Sequence, residues 1–228
     1  MHDAAAQTLL AWQAFHNGNF DAARRQAEQS VRIDPDDAQV LHLLGVLALR
    51  ENDYPKAIER LQQTRSLVPG DASVIVSLAR ARAGNGELVW ANELFDEAIE
   101  HSPENADAHA GKGVVLQMSE QYEASIRCYK RALTLRPLDI TVLANLAAVY
   151  KRCKQFDNCI ETYRRSVSAA PDAFELWLKL AGALLERGRV DESTQCYQSA
   201  ATLNPRSASG ERLLTFGTEL DSGRARHE

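Results

Sequence analysis

No stretch of this 228-residue sequence approaches the roughly 20 consecutive apolar residues that a membrane-spanning helix needs, so no membrane partner is expected. A basic excess is also missing: 26 Lys and Arg stand against 31 Asp and Glu, a formal net charge of −5. Proteins that neutralise phosphates carry the opposite balance, so no nucleic-acid partner is expected either. The first residues, MHDAAAQTLLAWQAFHNG, have no basic leader and no long apolar core, which makes a poor secretory signal and points to a cytoplasmic location. Cysteine is scarce: Cys128, Cys153, Cys159 and Cys196 lack the spacing of a zinc knuckle and read as reduced thiols filling small helix-packing sites. The sequence has no Gly-rich phosphate loop, no metal motif and no nucleophile beside a base, and its six histidines are scattered. Acid pairs such as Asp96 and Glu97 read as solvated helix faces. No catalytic residue, metal ligand or cofactor is expected, and the chain is read as a non-enzyme.

Proline is scarce too, but it is placed with a period. Six of the seven prolines fall at 35, 69, 103, 137, 171 and 205, each 34 residues after the last. A fixed period of this size marks a repeat array. With each proline at the thirty-second place of its unit, repeats begin at Ala4, Ala38, Ala72, Ala106, Ile140 and Phe174. The eighth place then holds Ala11, Gly45, Ala79, Gly113, Ala147 and Ala181, and the twentieth holds Ala23, Ala57, Ala91, Ser125, Cys159 and Ser193. Small side chains at two fixed places are what two closely crossing helices require. A large apolar residue opens each second helix (Phe20, Tyr54, Leu88, Tyr122, Phe156, Val190), and the twenty-fourth place runs from Ala27 through Leu61 and Phe95 to Tyr129, Tyr163 and Tyr197. Apolar residues recur three and four apart, as in Leu143, Leu146, Ala147 and Tyr150, which is helical periodicity. Gly18, Gly86 and Gly188 fall where the first helix of a pair would end in a left-handed cap. Asn19, Asp53, Gln121 and Asp191 stand at or near the starts of second helices, where side-chain acceptors and acids are favourable. No two-residue alternation suggests a strand.

This pattern resembles the tetratricopeptide repeat family, and the fourth unit, ADAHAGKGVVLQMSEQYEASIRCYKRALTLRP, shows the small–large–small–Pro series in full. The resemblance implies an all-α solenoid, a right-handed superhelix of six helix–turn–helix units. Residues 1–221 are expected to form a single array, closed by a cap helix over 208–221 that buries Leu213, Leu214, Phe216 and Leu220. Residues 222–228 are expected to be a flexible tail. Gln7, in a place where later repeats carry Leu41, Ile75, Leu143 or Trp177, suits the open end of the array.

The resemblance also implies that first helices line a concave groove that holds a partner peptide or helix. The corresponding residues are Trp12, Phe15, His42, Val46, Val76, Arg80, Val114, Gln117, Asn145, Lys151 and Lys179, with Leu9, Leu43, Ser77, Gly111, Ala144, Ala148, Leu178 and Gly182 among them. One subset of the family clamps two carboxylates at a chaperone C-terminus. Of its five positions only Asn145 and Lys179 match, with Ala110, Val114 and Glu175 at the others. Another subset lines its groove with an asparagine ladder, where this chain has Leu9, Leu43, Ser77, Gly111, Asn145 and Lys179. Neither groove chemistry is present.

What remains is an apolar N-terminal half and a more basic C-terminal half. Residues 1–105 carry 9 basic and 16 acidic side chains, residues 106–173 carry 10 and 7. A partner with an acidic and apolar segment is expected. Trp12 and Phe15, an aromatic pair at the array's end, also suit a homodimer through the N-terminal repeat. Lys112 stands where the other repeats have Leu10, Leu44, Leu78, Leu146 and Leu180, and reads as a packing departure whose ammonium either reaches solvent or pairs with an acid. An alternative to the free-standing adaptor is the repeat segment of a larger glycosyltransferase or sulfotransferase.

Overall fold

A computed structural model describes residues 2–204, all of them in helices or the short turns between helices. The expected cap helix over 208–221 and the tail beyond it lie outside the described residues. Among the described residues twelve helices alternate as first and second members of pairs. The first members are α1 (His2–His16), α3 (Ala38–Arg50), α5 (Ala72–Gly84), α7 (Ala106–Met118), α9 (Ile140–Arg152) and α11 (Phe174–Glu186). The second members are α2 (Phe20–Ile33), α4 (Tyr54–Leu67), α6 (Leu88–His101), α8 (Tyr122–Leu135), α10 (Phe156–Ala169) and α12 (Val190–Leu203). Among the described residues there is no strand, and no helix is long and apolar enough to cross a membrane.

A few residue types recur at the starts and stops of these helices. Asp37, Asp71, Asn105 and Asp139, each two residues after a proline, accept hydrogen bonds from backbone N–H groups in the first turns of α3, α5, α7 and α9. Ala173, the equivalent before α11, makes no such bond. Asn19 and Asp53 cap α2 and α4 in the same way. Between the two helices of each pair the chain turns through one left-handed residue. It is glycine at Gly18, Gly86 and Gly188, as the sequence suggests, and non-glycine at Asn52, Glu120 and Lys154, with φ of 59°, 58° and 57°. These second helices end two residues before a proline, and the residues in between (Asp34, Val68, Ser102, Ala170) leave the helical region with φ between −131° and −145°.

Contacts divide the chain into two compact units, residues 1–121 and 122–228, so that the boundary falls between α7 and α8. In the first unit α1, α3 and α5 pack on their own second helices and on the next first helix, and α3, α5 and α7 pack on the preceding second helix. Ala11, Ala79, Ala23, Ala57 and Ala91 are fully buried at the crossings. A Cβ built on Gly45 would lie 2.6 Å from Cγ of Leu61, so only glycine lets α3 and α4 meet there. The core of this unit centres on Leu43, Leu61, Ile75, Leu78 and Phe95. In the second unit α8 to α12 pack in the same sequence of pairs. The close crossing is visible in a hydrogen bond, 2.8 Å from Ser193 Oγ at the twentieth place to the carbonyl of Ala181 at the eighth. Cys159 and Cys196 fill buried helix-packing sites, and burial pushes the Cys159 thiol up to about 11.

Two unusual residues prove to serve the fold. Lys112 extends its ammonium to Asp96, which also accepts a 3.3 Å bond from Asn92, so the lysine both reaches outward and pairs with an acid. His109 donates from Nε2 at 2.9 Å to the carbonyl of Pro103, and Trp177 donates from Nε1 at 2.8 Å to the carbonyl of Pro171. The two rings occupy the same place in the fourth and sixth repeats and perform the same task, tying a first helix to the loop before it.

Candidate functional site

First helices in the first unit touch one another side by side, so their outward faces form one continuous surface. Trp12 and Phe15 on α1 are half-buried, not free at the array's end. Their rings meet edge to face at 5.7 Å, Phe15 meets Phe20 at 5.6 Å, and Trp12 meets His42 of α3 at 6.0 Å. Arg50 lies over the Phe20 ring at 3.6 Å. His42 in turn sits 3.1 Å through Nε2 from Ser77 Oγ of α5. A line of aromatic and polar contacts therefore runs across α1, α3 and α5. Burial lowers the His42 pKa below 6.5, and the nearby charge of Asp71 acts in the opposite direction.

Further along this surface Val46 is half-buried on α3, and Arg80 on α5 is exposed with no ion pair among the described residues. On α7, Val114 is 36 % exposed and Gln117 half-buried. Gly111 is small for a reason within the fold, because a Cβ there would collide with the Phe95 ring. Two expected positions do not reach the surface. Val76 is 5 % exposed and Leu43 is fully buried, both in the core. Val76 lies in one buried cluster with Ile75 and Leu78.

In the second unit Asn145 is half-buried on α9, beside half-buried Ala144 and Ala148. Lys151 is exposed but engaged, its ammonium 2.8 Å from Glu186 of α11. Lys179 on α11 is exposed and has no ion pair among the described residues. The two first helices of this unit are thus linked by one ion pair and present small, polar and cationic groups. Among the described residues no group of three or more His, Cys, Asp or Glu is placed to hold a metal ion.

The expected sites do not include one exposed cluster. Val89 and Trp90, on the first turn of α6, are 72 % and 60 % exposed. The signal is in the alignment of repeats: these two places hold Asp21–Ala22, Pro55–Lys56, Glu123–Ala124, Asp157–Asn158 and Asp191–Glu192 elsewhere, so an apolar pair here is an exception.

Comparison with known proteins bears on the same features. A family model described as Tetratricopeptide repeat matches residues 8–72, 76–140 and 155–208. BBSome complex member BBS4 from Bos taurus is 26% identical over 187 residues, which cover 82% of this chain and 36% of that protein. A protein of Hordeum vulgare named as the probable UDP-N-acetylglucosamine–peptide N-acetylglucosaminyltransferase SPINDLY is 27% identical over 117 residues, covering 48% of this chain and 12% of its own length. The chain therefore spans about a third or less of these relatives. Among solved structures, PilW, described as a widely conserved type IV pilus biogenesis factor, superposes with a TM-score of 0.83 at 17% identity, over 92% of this chain and 98% of its own. At that identity the likeness speaks for the fold alone.

Proposed function

This chain belongs to the tetratricopeptide repeat family, and we propose that it is a protein-interaction adaptor that holds a partner polypeptide on the face made by its first helices. The observation that carries the reading is a set of side chains on that face with no packing duty: Arg80 and Lys179 exposed without an ion pair among the described residues, and Val114 open to solvent. Half-buried Trp12, Phe15, His42 and Val46 add apolar and aromatic contact surface at low cost in side-chain entropy, because they are already ordered by one another. The partner that fits the first unit has an acidic residue for Arg80 and an apolar segment beside it, and Lys179 offers a like contact in the second unit. The adaptor performs no chemistry of its own and works in the cytoplasm.

The test is charge reversal on a folded protein. Arg80→Glu together with Lys179→Glu is expected to weaken capture of the partner at least tenfold while the helical circular dichroism is retained. Unchanged capture removes this face from the proposal. A second reading, the repeat segment of a larger glycosyltransferase, draws on the barley relative. It is tested by whether the natural reading frame continues past Glu228 into a catalytic domain.

A further inference from the structure

The second helices carry a feature that the first-helix face does not use. On α6, Trp90, Glu93, Glu97 and Glu100 are spaced by three, four and three residues and so share one stripe. Glu93 and Glu100 are exposed and make no ion pair among the described residues, while Glu97 is held by both oxygens to Arg65 at 2.8 and 2.9 Å. Trp90 is fixed as well as exposed. The guanidinium of Arg82 stands 5.2 Å from its ring, and Arg82 is itself paired with Glu87. Hydrogen bonding from Asn85, then from Arg82, holds the Glu87 carboxyl below its usual value and keeps this brace charged. A tryptophan ordered in solvent, at a place where other repeats carry polar or small residues, is a preorganised anchor.

The complement lies on α8, in the other unit. Arg127 and Arg131, one turn apart, are exposed and their side chains have no partner among the described residues, and Lys130 beside them touches only the Tyr150 ring. Beyond the end of α8 is a shallow hollow of about 480 Å³ lined by Arg136, Pro137, Leu138 and Asp139, in which Leu138 is 70 % exposed. From Trp90 to Glu100 α6 advances about 15 Å at the helical rise, and from Arg127 to its end at Leu135 α8 advances about 12 Å before the turn that carries Leu138. Laid antiparallel, the two stripes match. Trp90 meets the Leu138 hollow, Glu97 faces Arg131, and Glu100 faces Arg127.

We propose that this surface is occupied by a second copy of the chain, with α6 of one molecule docking antiparallel on α8 of another, Trp90 seated at Leu138 and the acidic stripe on the arginines. Charge complementarity selects this occupant, because the chain itself supplies both faces. Residues 1–121 carry 10 basic and 18 acidic side chains, and residues 122–204 carry 12 and 9. A single helix-on-helix contact lies at the small end of specific interfaces, so the association is weak, salt-sensitive and in the micromolar range (on the order of 10 µM).

The test is sedimentation velocity on the 228-residue chain from about 1 to 200 µM, at about 50 mM and 500 mM salt, a range across which the Debye length falls severalfold. Mass is expected to rise above 25.2 kDa with concentration at low salt and to return towards it at high salt. Trp90→Ala and the pair Arg127→Glu with Arg131→Glu each weaken association at least tenfold, with helicity unchanged because all three side chains are exposed. The decisive arm mixes two reversed proteins, Glu93→Lys with Glu100→Lys and Arg127→Glu with Arg131→Glu. Neither associates alone, and the mixture does. A mass of 25.2 kDa at every concentration overturns the proposal. So does association that survives the charge reversals, or that is lost on Trp12→Ala and kept on Trp90→Ala, which would move the contact to the first repeat.

Discussion

Replacing Gly86 by alanine isolates one term in the stability of the repeats. Gly86 turns between α5 and α6 with φ of 83°, and a Cβ built on it finds nothing within 4 Å. No contact is lost and no clash is made, so the substitution changes backbone energetics alone. Placing a Cβ in the left-handed region costs about 1–2 kcal/mol. Alanine also narrows the unfolded ensemble, which returns about 0.4–1 kcal/mol. The net expectation is a destabilisation of about 0.5–1 kcal/mol. Lys154, between α9 and α10, holds φ of 57° with a full side chain, so Lys154→Gly should stabilise by a similar amount. Asn52→Gly, at φ of 59°, should do little, because asparagine tolerates this conformation. Urea unfolding followed by circular dichroism reads these effects as midpoint shifts at constant slope. A Gly86→Ala protein as stable as the parent, or a less stable Lys154→Gly protein, would refute the reasoning.

Three further outcomes are expected. Lys112→Leu restores the apolar residue found at this place in other repeats and should leave urea stability unchanged or raise it by about 1 kcal/mol, whereas Lys112→Ala should lower it. Ala173→Asp supplies the missing cap of α11 and should raise stability by about 1 kcal/mol in the same measurement. His42 is held neutral by burial, so the unfolded chain takes up its proton first as pH falls. Its contribution is full above 6.5 and lost as pH drops below that value, and a His42→Gln variant should show a shallower loss between pH 7 and 5 in parallel melts.

Much of the architecture was legible because it rests on backbone chemistry that leaves marks at a fixed period. Prolines stop second helices, small residues occupy crossings, and Phe20, Tyr54, Leu88, Tyr122, Phe156 and Val190 do begin α2, α4, α6, α8, α10 and α12. The left-handed turns at Glu120 and Lys154 were not legible, since the surrounding helices impose a conformation that those residue types do not announce. The candidate face was legible only in part. Family position placed Val46, Arg80, Val114 and Lys179 at the surface, but the rotation of each helix decides what is reachable, and it put Val76 in the core. The contacts of Trp12 with His42 and of Phe15 with Phe20 were not legible, because the partners are distant in sequence or on another helix. Trp90 went unnoticed because its meaning lies in departing from the repeat.

The central claim, that the first-helix face receives a partner polypeptide, is tested most directly by site-specific photocrosslinking in the native cell. A photoreactive phenylalanine analogue placed at Arg80 or Val114 should capture one discrete partner, and the same analogue at exposed Gln29 on α2 should not. Capture from Gln29 with none from Arg80 or Val114 would contradict the account.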